Sequence, residues 1–388
     1  MVNRIIKFSH KNSFFLFGAR GTGKTHLLMD RYTSTSATSN WYIDLLNPEL
    51  VRKYQLHPTL LVQELDARKP APEWVIIDEV QKVPGLLDLI HQRIESDKQK
   101  FILSGSSARK LKRGAANLLA GRAFVYNLYP LTAKEIGGRF DLKEALSWGT
   151  LPKLLELSDP QDKKEYLRAY ANTYLREEIL QEQIIRNLEP FQRFLPVAAQ
   201  MAGKVINYSK IAVDAGTSVP TIQSYFQILE DTLLGFTLPQ FHESIRKRQR
   251  SNPKFYFFDN GIQRALSDEL NVGIHSRTYQ YGHAFEQFVI NEINRLQSYY
   301  RKDYRLSYLL TGAGVEIDLI IERPGMKRAA VEIKSTSIVA KSDLRGLLSL
   351  GKDIPNCDLF CFSMDKVPKI VEGVHCLPWQ AGLVELGL

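Results

Sequence analysis

The sequence predicts an α/β protein of several domains, and three observations predict it. The chain has 388 residues, more than the ~250–300 at which single cores stop growing. In its first third, short apolar runs ending in Gly, Asp or Ser alternate with helical stretches, the pattern of a parallel sheet covered by helices. After a mostly helical middle, a second set of strand-like runs closes the chain.

The first strand is Ser13–Phe17, apolar and aromatic, and the helical segment follows Thr25. Between them lies Gly18-Ala-Arg20-Gly21-Thr22-Gly23-Lys24-Thr25, a complete G-x-x-x-x-G-K-T. Glycines let such a loop wrap so that its N–H groups converge on phosphate oxygens at a helix N-terminus. Gly18, Arg20, Gly21, Thr22, Gly23, Lys24 and Thr25 are therefore expected to hold ATP. Lys24 reaches the β- and γ-phosphates, and the Thr25 hydroxyl ligates Mg²⁺.

The next strand, Trp74–Ile77, ends in Asp78-Glu79. A buried parallel strand delivers such carboxylates to the edge where ligands bind. Asp78 is expected in the Mg²⁺ shell and Glu79 beside the attacking water. Phe101–Leu103 is a third strand, followed by Ser104-Gly-Ser106-Ser107. Either Ser104 or Ser106 could sense the γ-phosphate, and a serine turn capping the next helix is the competing reading. Residues 108–122 carry Arg109, Lys110, Lys112, Arg113 and Arg122 without an acid. This is either a solvated basic helix or, at Arg122, an arginine that stabilises transferring phosphate charge.

Taken in order, the loop, Ile-Ile-Asp-Glu, Leu-Ser-Gly-Ser-Ser and Leu-Ala-Gly-Arg resemble the AAA-type ATPase core of a bacterial and archaeal family. That family places a winged helix and a restriction-endonuclease-like domain after the ATPase, and the resemblance covers nearly the whole chain. It implies an ATPase core over 1–130, a helical lid over 131–200, a winged helix over 201–268 and the nuclease-like domain over 269–388.

The middle fits that outline. Tyr166, Leu167, Tyr170, Tyr174 and Leu175 recur at helical spacing as a core stripe. Arg168, Arg176 and Arg186 are either sensors of nucleotide or a solvated face. Asn207–Gly216 and Thr217–Leu229 read as two short helices across a tight turn, with Ser209 the expected cap of the first. The second carries polar Thr221, Gln223, Ser224 and Gln227. Two strand-like runs, 233–241 and 254–259, follow as a wing. Its tip, 245–254, holds Arg246, Lys247, Arg248, Arg250 and Lys254 and no acid, as a phosphate-gripping wing requires. DNA is the expected partner, with a protein partner the other reading of such modules.

At the C-terminal end a helix, Tyr281–Leu296, precedes three strand-like runs, a further helix and a strand, the skeleton of a restriction-endonuclease-like fold. Asp318 alternates with apolar neighbours, and Glu332 and Lys334 point to one face of their strand. Asp318 and Glu332 are expected to collect Mg²⁺, with Lys334 orienting the attacking water. The resemblance adds Glu286 as a fourth site residue, and a metal ligand.

Composition bounds the rest. Lys and Arg number 51 against 42 Asp and Glu, a net charge of +9 that draws polyanions. Mean hydropathy is −0.22, and no run of ~18 apolar residues exists to span a bilayer. Three cysteines are too few to staple a secreted protein of this size, so a reducing cytoplasm is expected. The leading expectation is an ATP-hydrolysing protein acting on DNA, with a Mg²⁺-dependent nuclease-like end and a second subunit as a further partner. Its rival is an ATP-switched regulatory or scaffold protein whose later domains only bind partners.

Overall fold

A computed structural model describes residues 2–33, 40–106, 121–174, 188–243 and 251–388. The basic residues from Arg109 to Arg113, with Tyr174 (side chain), Leu175, Arg176, Arg186 and the wing tip from Arg246 to Arg250, lie outside the described residues. Among the described residues, 2–131 and Asp231–Leu233 form one compact unit, and the others from Thr132 to Leu388 form a second.

The first unit is a five-stranded sheet. Its strands are β1 (Ser13–Phe17), β2 (Asn40–Asp44), β3 (Trp74–Asp78), β4 (Lys100–Gly105) and β5 (Ala123–Asn127), in the order β2-β3-β4-β1-β5. Every pairing is parallel. β1 and β3 are buried throughout, because helices cover both faces of such a sheet. Phe15, Phe17, Val75, Ile77, Phe101 and Leu103 meet Leu86, Leu87 and Ile90 of the helix Leu86–Ser96 in one core. Since all strands point the same way, the ends of β1, β3 and β4 share one edge, where the sequence puts Gly18, Asp78 and Ser104.

The second unit holds two sheets. A hairpin joins β6 (Gly235–Leu238) to β7 (Lys254–Phe257). The six-stranded sheet runs β12-β13-β11-β10-β9-β8. Its strands are β8 (Arg305–Leu310), β9 (Glu316–Glu322), β10 (Arg328–Lys334), β11 (Cys357–Ser363), β12 (Lys369–Val371) and β13 (Val374–Pro378). The expected helix is longer than its periodicity suggested, Tyr279–Tyr299. β12, β13 and the closing helix Trp379–Glu385 extend the expected skeleton. Cys361 and Cys376 are buried neighbours in paired strands and serve as packing.

Helices Leu188–Gln200, Tyr208–Ala215 and Val219–Asp231 precede the β6–β7 hairpin. The cap of the middle helix is Asn207, whose side chain accepts from the Lys210 N–H, and not Ser209. The expected second helix exposes Gln223, Ser224 and Gln227 and buries Ile222, Tyr225 and Phe226. Pro239–Phe241 then runs beside β8: the Tyr308 N–H donates to the Pro239 carbonyl at 3.0 Å and the Phe241 N–H to the Tyr308 carbonyl at 2.6 Å. The hairpin is thereby stitched to the edge of the six-stranded sheet.

The segment expected to act as a lid packs inside this second unit. Helix Leu142–Trp148 lies on helix Asn260–Leu266 so closely that a Cβ at Gly261 would meet the Trp148 carbonyl oxygen at 1.9 Å. The Asp259 carboxylate, fully buried, caps Asn260–Leu266 and accepts from the Thr150 N–H at 2.7 Å. Leu167 and Tyr170 are core, as expected, while Arg168 pairs on the surface with Glu165.

Candidate functional sites

In the first unit the turn after β1 wraps as its glycines require. A Cβ on Gly18 would lie 2.5 Å from the Leu128 carbonyl oxygen, and Gly23 has φ +91. Thr22 is buried and its hydroxyl donates to the Ala19 carbonyl at 2.8 Å, locking the turn, whereas Arg20 and Gly21 are exposed at its crest. The Lys24 ammonium donates to the Gly18 carbonyl at 2.7 Å, so it spans the loop from its helix back to its start.

Asp78 is the hub of this edge and is fully buried. Three hydroxyls donate to its carboxylate: Thr25 at 2.6 Å, Tyr42 at 2.7 Å and Ser104 in closer contact. Burial, then the Asp78 charge, pushes the Tyr42 phenol well above its ordinary range, which keeps it a donor. Glu79 follows in a left-handed conformation, φ +59, with its N–H donating to Ser104 Oγ at 3.3 Å. The buried Gln81 amide donates to the Glu79 carboxylate and, at 3.3 Å, to Ser106 Oγ.

These contacts divide two serines that sequence leaves equivalent. Ser104 touches Asp78, and Ser106 reaches Glu79 only through Gln81. Tyr42 and Gln81 are site residues that the sequence reading missed. Tyr42 arrives through the β2–β3 pairing, of which nothing local warns. Gln81 carried a signal, a polar residue three positions after a strand-end Asp.

Arg122 needs a correction. β5 starts at Ala123, opposite Ser13, the first residue of β1. Arg122 therefore sits at the edge away from the phosphate loop, about five strand residues or ~17 Å distant along the sheet. There it forms an ion pair with Glu95 on the surface. Proximity in sequence to a nucleotide motif misleads here because the strand runs between the two.

The second unit gathers a different site. Val331 pairs with Leu319 across β10 and β9, and one step further in that register are Glu332 and Asp318. The Ile333 N–H donates to Asp318 Oδ2 at 2.8 Å, and the Lys334 ammonium lies 2.6 Å from Glu332 Oε1. Glu332 is 6% exposed, and its second oxygen, Oε2, has no hydrogen-bond partner. Beside them, the Lys254 ammonium contacts Glu316 and lies 3.7 Å from Glu286. Glu286 also accepts from the Tyr256 hydroxyl at 2.7 Å.

Crowding governs the protonation of these groups. Burial first, then the Glu286 charge, raises the Asp318 carboxyl well above its usual range; burial and Asp318 do the same to Glu332. For Lys334, burial works to lower the ammonium's pKa, but Asp318 and Glu332 more than reverse it, so the lysine stays charged.

Among the described residues no three His, Cys, Asp or Glu side chains form a ready metal cage. Glu286, expected as a further ligand beside Asp318 and Glu332, is engaged here by Tyr256 and Lys254. Asp318 and Glu332 still suit a divalent ion: both offer hard oxygens, and the unpartnered Glu332 Oε2 is an acceptor in need of a donor or a cation. At Asp78 the set of carboxylate and hydroxyl oxygens suits Mg²⁺ in the same way.

Comparison with known proteins agrees with the division at residue 131. A model described as an AAA domain matches residues 10–137. The first unit is built as an AAA-type P-loop domain. Two models, each described as a domain of unknown function, match 139–273 (DUF8612) and 281–381 (DUF4143). An uncharacterized protein of Mycobacterium tuberculosis is 26% identical over 325 residues, 83% of this chain and 70% of its own. Another, from Haemophilus influenzae, is 24% identical over 269 residues, 64% of this chain and 67% of its own. A third, from Methanocaldococcus jannaschii, is 22% identical over 333 residues, covering 78% and 73%. Among solved structures, the replication initiator DnaA bound to AMPPCP and single-stranded DNA is 15% identical, covering 57% of this chain and 82% of its own. Its TM-score of 0.31 is too low for the likeness to bear on this chain's function. Among the described residues no helix is long and apolar enough to cross a membrane.

Proposed function

We propose that the chain is a Mg²⁺-dependent ATPase that acts on nucleic acid, hydrolysing ATP in the first unit and cleaving phosphodiesters in the second. The observation that carries the first half is the convergence of Thr25 and Ser104 on Asp78 at the end of a complete phosphate loop. The N–H groups of that loop and the Lys24 ammonium would bind the β- and γ-phosphates, and Thr25 and Asp78 would hold Mg²⁺. Mg²⁺, when bound, neutralises charge that builds on those phosphates. Glu79 accepts the proton of the attacking water as its oxygen bonds to the γ-phosphorus and the ADP oxygen leaves. Gln81 fixes the Glu79 carboxylate toward that water.

The second half rests on chemistry and charge. The exposed polar face of helix Val219–Asp231 and the basic residues from Arg246 to Arg250 suit a DNA groove and its phosphates. In the carboxylate cluster, Glu286, Glu316, Asp318 and Glu332 when all ionised carry two more negative charges than Lys254 and Lys334 offset. One divalent cation balances that excess. Asp318 and Glu332 would hold it, and Lys334 would orient the water that attacks phosphorus.

A second reading, an ATP-switched docking protein, draws on the same two lysines, since Glu316 and Glu332 already have cationic partners. Replacing Lys24 by Ala tests the ATPase assignment. Phosphate release from ATP should fall at least ~100-fold, and an unchanged rate would overturn it.

A further inference from the structure

Lys254 is the first residue of wing strand β7, yet its side chain lies among the carboxylates and not in solvent. It is 3% exposed. Burying an ammonium is costly unless close anionic partners compensate. Here they come from two separate elements: Glu316 at the start of β9, and Glu286 on the helix Tyr279–Tyr299. The Tyr308 ring, 5.4 Å from the ammonium, walls a third side, and Tyr256 fixes Glu286 through its hydroxyl. Burial works against the charged form of Lys254, but Glu286 and Glu316 more than reverse it. This is a cation position built from two carboxylates and an aromatic face, filled by a residue of the chain itself.

A few residues away the balance is the opposite. Glu332 Oε2 is buried with no partner, and Asp318 faces it across the strands. Helix Arg345–Leu350 backs this corner, and Gly346 approaches the Glu316 carbonyl so closely that a Cβ would meet it at 2.3 Å. This corner has a buried acceptor to spare, whereas the Glu286–Glu316 corner already holds an ammonium.

We propose that the cluster takes a single divalent cation, on Asp318 and Glu332, and that the Lys254 ammonium permanently occupies the neighbouring position that a second cation would otherwise take. Lys254 is thus a positioning residue supplied by the wing. The inference rests on the reading of Asp318 and Glu332 as a metal site and goes beyond it by fixing how many ions that site holds.

Counting bound Mn²⁺ by the loss of its free-ion electron paramagnetic resonance signal tests this on the full chain without nucleotide. Any contribution from the first unit is common to all variants. Asp318→Asn should bind one Mn²⁺ fewer than the wild type, and Lys254→Met one more. An unchanged count for Asp318→Asn would remove the metal site itself. An unchanged count for Lys254→Met, with one fewer for Asp318→Asn, would leave the metal site standing and overturn the single-ion inference. Lys254→Met leaves two half-buried carboxylates uncompensated, so Lys254→Met/Glu316→Gln covers the case in which it does not fold. That double variant lacks both the ammonium and one carboxylate and should keep the wild-type count; a gain there would overturn the inference as well.

Discussion

The two acidic sites of this chain follow opposite electrostatic plans. At the end of β3 a single buried carboxylate, Asp78, is met by neutral hydroxyls from Thr25, Tyr42 and Ser104. Between β9 and β10, four carboxylates crowd around two ammonium groups, and one carboxylate oxygen is left without a partner. The hydroxyls donate to Asp78 without supplying a counter-charge, which suits a carboxylate that is to meet a cation. Lysines neutralise part of the second cluster permanently, which limits what it can take up. The first plan suits a site that cycles with its ligand, the second a site whose metal content is set by the fold.

Several changes would break or sharpen this contrast. The largest effect is expected at Gln81, whose amide ties Glu79 to Ser106. Gln81→Leu should lower kcat for ATP hydrolysis by about 10–100-fold, the scale of a misplaced general base, and leave KM within about threefold. Steady-state kinetics decide it, and a comparable rise in KM with kcat unchanged would make Gln81 a binding residue. Uptake of Mn²⁺ by the second unit should not change in this variant.

An intermediate effect is expected at Glu292, a buried acid of the second unit outside the cluster. Its partners are the Ala133 N–H at 2.9 Å and Arg295 at 3.4 Å. Burial raises its pKa to about 7, with Arg295 opposing. The folded pKa then lies above the unfolded value near ~4.3. Between these values the folded chain holds a proton that the unfolded chain has released. Its contribution to stability is therefore complete below ~4.3 and declines as pH rises to about 7. Melting temperatures of the wild type and Glu292→Gln, measured from pH 5 to 8, should converge at the alkaline end as the wild type loses its advantage. A constant difference would show that Glu292 does not titrate in this window, and that burial alone does not shift an acid in this unit.

The smallest effect is expected at Arg122, paired with Glu95 at the edge remote from the loop. Arg122→Ala should leave ATP hydrolysis by dilute protein within about twofold, as for other exposed ion pairs. A loss of tenfold or more that grows with protein concentration would give Arg122 a role at a second subunit's nucleotide.

These residues also mark how far the sequence reaches. The phosphate loop, Asp78, Glu79 and the Glu332/Lys334 pair are legible because each depends on a single strand and its adjoining turn. Tyr42 and Lys254 are not, because β2 must pair with β3, and the segment after β6 must dock on β8, before either side chain meets its partners. Lys254 reads as the last basic residue of a solvated wing, and only the tertiary fold turns it inward. Arg122 fails for the converse reason, since a neighbour in sequence lies at the far end of a strand. The cap at Asn207 in place of Ser209 is a shift of two residues within a helix start that was otherwise legible.

Cleavage of linear DNA in Mg²⁺, with and without ATP, by the wild type and by Asp318→Ala tests the central claim most directly. The wild type should cut, and Asp318→Ala should not cut while hydrolysing ATP at the normal rate. No cutting in any condition, or equal cutting by both proteins, would contradict the claim that the second unit is a nuclease.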